Sequence, residues 1–426
     1  AGEAEAAEER CTEYYRSRSG GSIGESRYRL PEWLEWMDLE IDSIRAVLGR
    51  CLARGDSLRG IDLATSVGWY WVIRATTEGV HWLDAMLASG PGNPVPQFWA
   101  YFQRGFLAVL KADAIASPPA LERAVAMARA LGQPALLAQA LSMSSIAANL
   151  AGDRAAAAGS LEEAGAVSTD LHDFPAHISV LQARALNGMF GGDIETVISA
   201  ASEGARLSRE VGDLYSLEMM LLNLGGTALL SAALGRAKEF YTEALTIARR
   251  IDDRVAEYAL LDGLGCEAAA AGHPRLGAQL IGAAETVRTE AGARLLPFLA
   301  PLVAQAEKLA VAALGRSRFD DEVKVGRGLS REQAIRLALG EPAPAQAITT
   351  HAQDPDPGLL GKREAEIAQL ISEGMSNRQI GARLFISERT VDSHVRGILN
   401  KLGFNSRAQI ASWIGSTNEP HLPRLR

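Results

Sequence analysis

The pattern of hydrophobic and polar positions divides the chain into three parts. Up to residue 340, helix-forming stretches alternate with short turns that contain glycine. Residues 341–358 have no apolar periodicity and include four prolines, a composition that disfavours helix and sheet and predicts an extended linker. Residues 359–415 again carry helix signals, and residues 416–426 are predicted to form a flexible tail. The sequence therefore predicts an all-α protein with a large body and a small tail domain.

The helix-forming stretches of the body are joined by short turns that contain glycine. These turns are ARGD (53–56), LAGD (150–153), GGD (191–193), EVGD (210–213), ALGR (233–236) and AAGH (270–273). Glycine adopts the left-handed conformation that ends helices, so each turn is predicted to separate two helices. The glycines at 152, 191, 235 and 272 are 39, 44 and 37 residues apart. Such periods are typical of a helical-pair solenoid, and a generic helical bundle is the alternative.

Two of these repeats share a finer pattern. Leu224-Gly225 is followed by Ala237, Tyr241 and Ala244, and Leu264-Gly265 is followed at the same offsets by Gly277, Ile281 and Ala284. Small residues at the crossings, with one large apolar residue between them, suit two tightly packed antiparallel helices. The pattern resembles the tetratricopeptide repeat. We therefore predict an N-terminal helical region over residues 1–130 and tetratricopeptide-like repeats over residues 131–340.

The tail is predicted to contain four short helices with clear start signals. Ser376–Gln379 and Ser406–Gln409 are capping boxes, each of which opens a helix. In the third helix, Val391, Val395, Ile398 and Leu402 form one apolar stripe for the core. Arg389, Ser393, Arg396 and Asn400 share another face and present cationic and amide donors.

Two short helices joined by a tight turn, the second with donors outward, are typical of the helix-turn-helix. Its second helix enters the major groove of DNA. The alternative is a small helical domain with an ordinary solvated face. Charge favours the first interpretation, because residues 358–426 carry a net charge of +4 whereas residues 1–357 carry −12.

The tail also resembles the LuxR-type DNA-binding domain over residues 359–415. The positions that match this family are Arg363, Glu364, Gly374, Ser376, Asn377, Ile380, Leu384, Ser387, Thr390, Val391, His394, Ile398, Lys401, Leu402, Gly403 and Arg407. Two positions depart from the family pattern. Gly361-Lys362 replaces the usual Thr-Pro and gives a weaker helix cap, and Asp392 replaces a common Lys, which puts a DNA contact there in doubt.

The resemblance implies binding to double-stranded DNA as a homodimer on two half-sites, with residues 408–414 as the dimer surface. The residues expected at the DNA are Ser376, Asn377, Arg378, Ser387, Arg389, Thr390, Val391, Asp392, Ser393, His394, Arg396, Asn400 and Lys401. For His394, a packing or phosphate-binding role is favoured over a catalytic or sensory one.

Two body segments resemble large ATPase-linked, STAND-type LuxR regulators of actinobacteria. Residues 33–56 are similar to the segment that follows their NTPase domain, and residues 319–341 to the segment that ends their helical region. The phosphate-binding loop of those relatives is not found in this sequence. We therefore expect the chain to be either a C-terminal portion or a natural short form.

Other sequence features narrow the function. Three widely spaced cysteines form no disulfide or metal-binding pattern, and the acidic N-terminus has no signal-peptide character, so a cytoplasmic location without a membrane is expected. The uncharged stretch 130–152 contains seven polar or proline residues and is predicted to be a buried helix rather than a membrane span. No catalytic, metal-binding or cofactor-binding constellation is recognised, which predicts a protein that is not an enzyme.

Aromatic clusters at residues 33–36, 69–82 and 99–102 have two interpretations. Core packing is favoured, and a ligand pocket is the alternative. The sequence thus predicts a cytoplasmic, bacterial transcription regulator whose helical-repeat body senses a signal or docks a protein. The effector at the repeats, protein or small molecule, is left open. One alternative is the regulatory and output part of an NTPase-driven switch without its ATPase domain, and another is an interaction scaffold whose tail no longer binds DNA.

Overall fold

The computed structural model describes residues 2–20, 26–290, 295, 299–342, 360–373 and 375–384, and single positions of the tail at 391, 394, 395, 398, 399, 401, 402, 410, 413 and 414. These residues form helices, turns and short connections, with no β-strand among them. The chain divides into two compact units, Ala1–Ala343 and Pro344–Arg426. The all-α prediction is confirmed. Of the predicted linker, only Glu341 and Pro342 are described.

The first unit begins with helices that surround a buried apolar cluster. They are α1 (Gly2–Gly20), a single 3-10 turn (Arg27–Arg29), α2 (Leu30–Arg54), α3 (Ser57–Ser66), α4 (Gly68–Ile73) and α5 (Thr76–Ser89). In α2, Leu30, Leu34, Met37, Ile44 and Leu48 recur at helical spacing and are fully or almost fully buried. This face packs against α3, α4 and α5.

Two layers of helices follow. Their members are α6 (Pro94–Leu110), α7 (Ser117–Leu131), α8 (Pro134–Leu150), α9 (Arg154–Ser168), α10 (Phe174–Gly191), α11 (Ile194–Val211), α12 (Leu214–Leu230), α13 (Leu234–Ile251), α14 (Arg254–Ala270), α15 (Pro274–Glu290), α16 (Ala300–Leu314), α17 (Arg316–Arg327) and α18 (Arg331–Leu339). From α6 to α15, each helix packs against the next. The even-numbered helices α6 to α14 also pack against one another and form an inner layer, which is the predicted helical-pair solenoid.

Four of the described turns in the first unit consist of a glycine followed by an aspartate. Gly55, Gly152, Gly192 and Gly212 have φ between +67° and +82°, where glycine is favoured. The side chain of the following aspartate accepts a hydrogen bond from a backbone N–H of the next helix and caps it; these residues are Asp56, Asp153, Asp193 and Asp213. The predicted ALGR turn is different, because Gly235 lies inside α13 and Ala232 takes the left-handed conformation at φ +56°.

The small residues of the repeat pattern accommodate one large ring. Tyr241 on α13 is fully buried, and its ring lies between Gly225 on α12 and Gly263 on α14. A Cβ atom at either glycine would approach the ring to 2.6 Å. Gly265 and Gly277 bring α14 and α15 into backbone contact in the same way. Glycine is thus required here for the close approach of the helices rather than for a turn.

Replacing Gly225 with alanine should therefore destabilise the body by about 1–3 kcal/mol, because the added methyl overpacks a filled site. Gly159 is the matched control. It lies inside α9, is exposed, and has open space around the position of a Cβ atom. Gly159→Ala should be neutral or stabilise by up to about 1 kcal/mol through helix propensity. Urea denaturation of both variants measures this, and equal effects would contradict the packing of Tyr241.

The uncharged stretch and the aromatic clusters can now be placed. Residues 134–150 of that stretch form α8, which packs between α7, α9 and α10. None of the helices in the described part of the chain is long and apolar enough to cross a membrane. Trp33 and Trp71 are buried in the core, as the favoured interpretation predicts. Trp69, Trp99 and Phe102 instead line a cavity of about 470 Å³.

Candidate nucleic-acid interface

The second unit is organised around a small apolar core. Its described helices are α19 (Lys362–Ser372) and α20 (Asn377–Leu384), followed by helical positions between 391 and 402. Val391 and Ile398 are fully buried, Val395 is 7% exposed, and Leu402 packs at the edge of the same cluster. The apolar stripe predicted for the third helix is therefore confirmed as the face that meets α19 and α20.

The start of α19 is tied to the end of the third helical segment. The carboxylate of Glu364 accepts a hydrogen bond from the Gly361 N–H at 2.8 Å and from Lys401 Nζ at 2.7 Å. The side chain of Glu364 is only 14% exposed. These hydrogen bonds, with the nearby His394, hold the pKa of Glu364 below its usual value of 4.5, and the bond from Lys401 has the largest effect. Glu364 thus supplies the helix cap that the Gly361-Lys362 sequence appeared to weaken.

The turn before α20 and the end of α20 are also fixed by side chains. The Ser376 N–H donates to Gln379 Oε1 at 2.8 Å, and the Gln379 N–H donates to Ser376 Oγ at 3.4 Å, which is the predicted capping box. At the other end, Arg363 Nη2 donates to the Leu384 backbone oxygen at 2.8 Å. The predicted capping box at 406–409 lies outside the described residues.

The described members of the predicted DNA site lie in different environments. Ser376 and Asn377 stand at the start of α20, and Arg378 lies in its first turn. Val391 is fully buried, so any contribution it makes to DNA binding is through packing. His394 is half-buried, and Lys401 is bonded to Glu364. The remaining predicted residues lie outside the described part of the chain: Ser387, Arg389, Thr390, Asp392, Ser393, Arg396 and Asn400.

Sequence reasoning missed the roles of Arg363 and Glu364 in this framework. Both belong to the family pattern, yet neither was expected to join separate helices. Arg363 contacts a residue 21 positions away and Glu364 one 37 positions away. Local helix signals carry no information on such pairs, and only a motif shared by a family indicates that these positions matter.

Comparison with known proteins agrees with this geometry. Residues 359–414 match the family model described as bacterial regulatory proteins, luxR family. The chain is 51% identical to the transcriptional regulatory protein DegU of Brevibacillus brevis over 51 aligned residues. The aligned segment covers 12% of this chain and 22% of that protein. It is 35% identical to the HTH-type transcriptional regulator Rv0890c of Mycobacterium tuberculosis over 112 aligned residues. That segment covers 25% of this chain and 12% of that protein.

The chain thus spans less than a quarter of the length of either relative. Among solved structures, it is similar to a Rap protein complexed with competence and sporulation factor, with a TM-score of 0.49 and 9% identity over 93% of this chain and 99% of that chain. The tail carries a LuxR-family DNA-binding domain, and its relatives are transcriptional regulators.

Proposed function

We propose that the chain is a DNA-binding transcription regulator in which the helical body receives a signal and the tail reads DNA. The observation that supports this most strongly is the LuxR-family match over residues 359–414, together with the confirmed buried stripe of the third helix. A regulator of bacterial chromosomal DNA works in the cytoplasm. By resemblance to the family, we propose that it binds as a homodimer.

The buried stripe determines which residues are available to DNA. At about 100° per residue, Val391, Val395 and Ile398 centre on one side of a helix. Arg389, Ser393, Arg396 and Asn400 fall about 160° away on the same helical wheel. We propose that this opposite face enters the major groove, where guanidinium and amide groups can bond base edges. Lys401 and His394 fall on the flank between the two faces.

The N-terminus of α20 is proposed as a phosphate contact. Its first amides, with the side chains of Ser376 and Asn377, stand where a helix end attracts anions. The net charge of +4 on residues 358–426 fits such a partner. Contacts of this kind position the domain on the duplex without reading its sequence.

Selection from a random DNA library by the full chain tests the proposal. We expect enrichment of a sequence with two related half-sites, and an affinity that falls steeply between 50 and 200 mM salt, since several phosphate contacts release counterions. A chain that enriches no sequence and shows no salt-sensitive DNA affinity would contradict the proposal and favour a protein-interaction scaffold.

A second candidate is the regulatory and output part of an NTPase-driven switch. It is favoured by the resemblance of residues 33–56 and 319–341 to ATPase-linked regulators. A genomic reading frame that continues upstream into a phosphate-binding loop would support it. Under this candidate the tail would still bind DNA, but binding would respond to ATP only in the longer protein.

A further inference from the structure

A cavity of about 470 Å³ lies within the first unit, on the face shared by the inner helices α6, α8, α10 and α12. Residues of α3 and α4 line another side of it, and Arg27 lies at its wall. The volume lies within the range of about 300–1,000 Å³ that is common for small-molecule sites. The cavity is partly open to solvent, so a small molecule can enter it without unfolding of the body.

Five aromatic rings from α4, α6 and α12 form part of the apolar wall of the cavity, beside aliphatic side chains. Trp69 and Tyr215 have ring centroids 5.1 Å apart, and Phe106 lies 6.1 Å from Tyr215. Trp99 and Phe102 pack edge to face at 5.4 Å. Rings that meet at steep angles offer both faces and edges to a guest, an arrangement that favours a flat aromatic molecule.

Two charged residues, Arg27 and Asp173, lie at the wall, and the cation of this pair of residues is already bound to a carboxylate elsewhere. Arg27 donates through Nε to Asp213 and through Nη2 to Ser216 at 2.9 Å, and its guanidinium lies 5.6 Å from the centre of the Trp69 ring. Asp173 accepts a hydrogen bond from the Ala176 N–H and caps α10. The described lining residues therefore offer no unpaired cation, and an anionic guest would lose its hydration without gaining a counterion.

Several of the remaining polar groups at the wall can accept hydrogen bonds. The Ser142 and Ser179 hydroxyls donate to the backbone oxygens of Ala138 and Pro175 at 2.7 Å, so their lone pairs are left for a guest. Gln103 Nε2 donates to the Thr65 backbone oxygen at 2.9 Å, while Gln103 Oε1 is buried and has no hydrogen-bond partner among the described residues. A guest that donates hydrogen bonds would satisfy these oxygens.

We propose that this cavity binds a flat aromatic molecule that carries hydroxyl or N–H donors and no negative charge. The aromatic rings, the already paired cation of Arg27 and the unused acceptors each point to a part of that chemistry. The regulatory meaning of the site rests on the proposed function, since such a molecule would be the signal that the body receives. Binding itself is independent of DNA and can be measured separately.

The test uses the full chain and the fluorescent probe N-phenyl-1-naphthylamine, which is uncharged, aromatic and carries one N–H donor. We expect saturable binding of one probe per chain. The same skeleton with a sulfonate, 8-anilino-1-naphthalenesulfonate, should bind at least tenfold more weakly. Competition by 2-naphthol should exceed competition by 2-methoxynaphthalene, which cannot donate. Tighter binding of the sulfonate, or equal competition, would overturn the assigned chemistry.

Two variants locate the binding site. Ser179→Phe fills the cavity and should weaken probe binding at least tenfold, whereas the control Ser202→Phe, at an exposed position of α11, should leave it unchanged. Ser142→Ala removes one acceptor with little change of volume, so the affinity for 2-naphthol should fall about fivefold, as for one lost hydrogen bond. The affinity for 2-methoxynaphthalene should not change. If both phenylalanine variants bind the probe like the native chain, the site is elsewhere.

DNA binding of the same preparations separates this inference from the proposed function. A chain that binds DNA but gives no saturable probe binding would refute the cavity as a ligand site and leave the regulator intact. A chain that binds the probe with the expected selectivity but no DNA would refute the regulator and leave the binding site intact.

Discussion

Replacing Arg331 with methionine is expected to destabilise the helical body by about 3–5 kcal/mol, because it leaves a buried carboxylate without its partner. Arg331, at the start of α18, donates to both carboxylate oxygens of Glu257 on α14 and also pairs with Asp252. Glu257 is fully buried. Urea denaturation of the full chain measures the loss, which should appear in the transition of the body.

The loss should depend on pH. Burial raises the pKa of Glu257 above its usual value of 4.5, and Arg331 opposes that shift. Without the guanidinium the folded-state pKa rises further, so the deficit is smallest at acidic pH, where Glu257 is protonated in both states. It grows as the pH rises through the raised folded-state pKa of Glu257 in the native chain towards the still higher folded-state pKa in the variant, since the unfolded-state pKa is the same in both. Denaturation at pH 5 and pH 8 should show the larger deficit at pH 8.

Two controls isolate the buried charge as the cause. Arg206 on α11 pairs with Glu203 and Glu210 at the surface, where its side chain is 58% exposed, so Arg206→Met should cost less than about 1 kcal/mol. The double variant Arg331→Met, Glu257→Met removes both charges and should recover most of the stability. A double variant no more stable than Arg331→Met alone would show that the ion pair is not the source of the loss.

The turns of the body could be predicted because their signals are local. A glycine that ends one helix and an aspartate that caps the next act within four residues, as at Gly152-Asp153 and Gly212-Asp213. The turn before α13 was misplaced within its segment, since Ala232 adopts the conformation that was assigned to Gly235. The Ala232 N–H donates to the Leu229 oxygen and the Ala233 N–H to the Ala228 oxygen, so this alanine ends α12 as a glycine ends several other helices.

Long-range pairs could not be predicted in this way. Arg331 and Glu257 are 74 residues apart, and nothing in the local sequence of either residue indicates the other. The cavity shows the same limit. Trp69 and Trp99 were recognised as members of aromatic clusters, but only the tertiary arrangement of α4, α6 and α12 shows that these rings line one cavity together with Tyr215.

The tail permits a sharper test, because one helix is proposed to carry both sequence reading and structural support. Arg396→Ala is expected to lower affinity for the selected DNA sequence by about 1–3 kcal/mol while changing affinity for a scrambled duplex much less. The reason is the helical-wheel position of Arg396 in the sequence, which falls on the face proposed to meet the DNA, opposite the buried Val391, Val395 and Ile398. Binding to both duplexes across a salt series gives the ratio of the two affinities.

Lys401→Ala is expected to behave differently from Arg396→Ala, and Glu364→Gln is the control variant for it. Lys401→Ala should weaken both duplexes alike and reduce the salt slope by about one unit if the ammonium also meets a phosphate. Because Lys401 is bonded to Glu364, the same change should also lower the stability of the tail. Glu364→Gln weakens that bond but keeps the cation, so it should lower stability without reducing the slope. If the slope of affinity against salt is unchanged in both variants, Lys401 has only a structural role. If Arg396→Ala leaves the ratio of affinities for the selected and scrambled duplexes unchanged, another face of the helix meets the DNA.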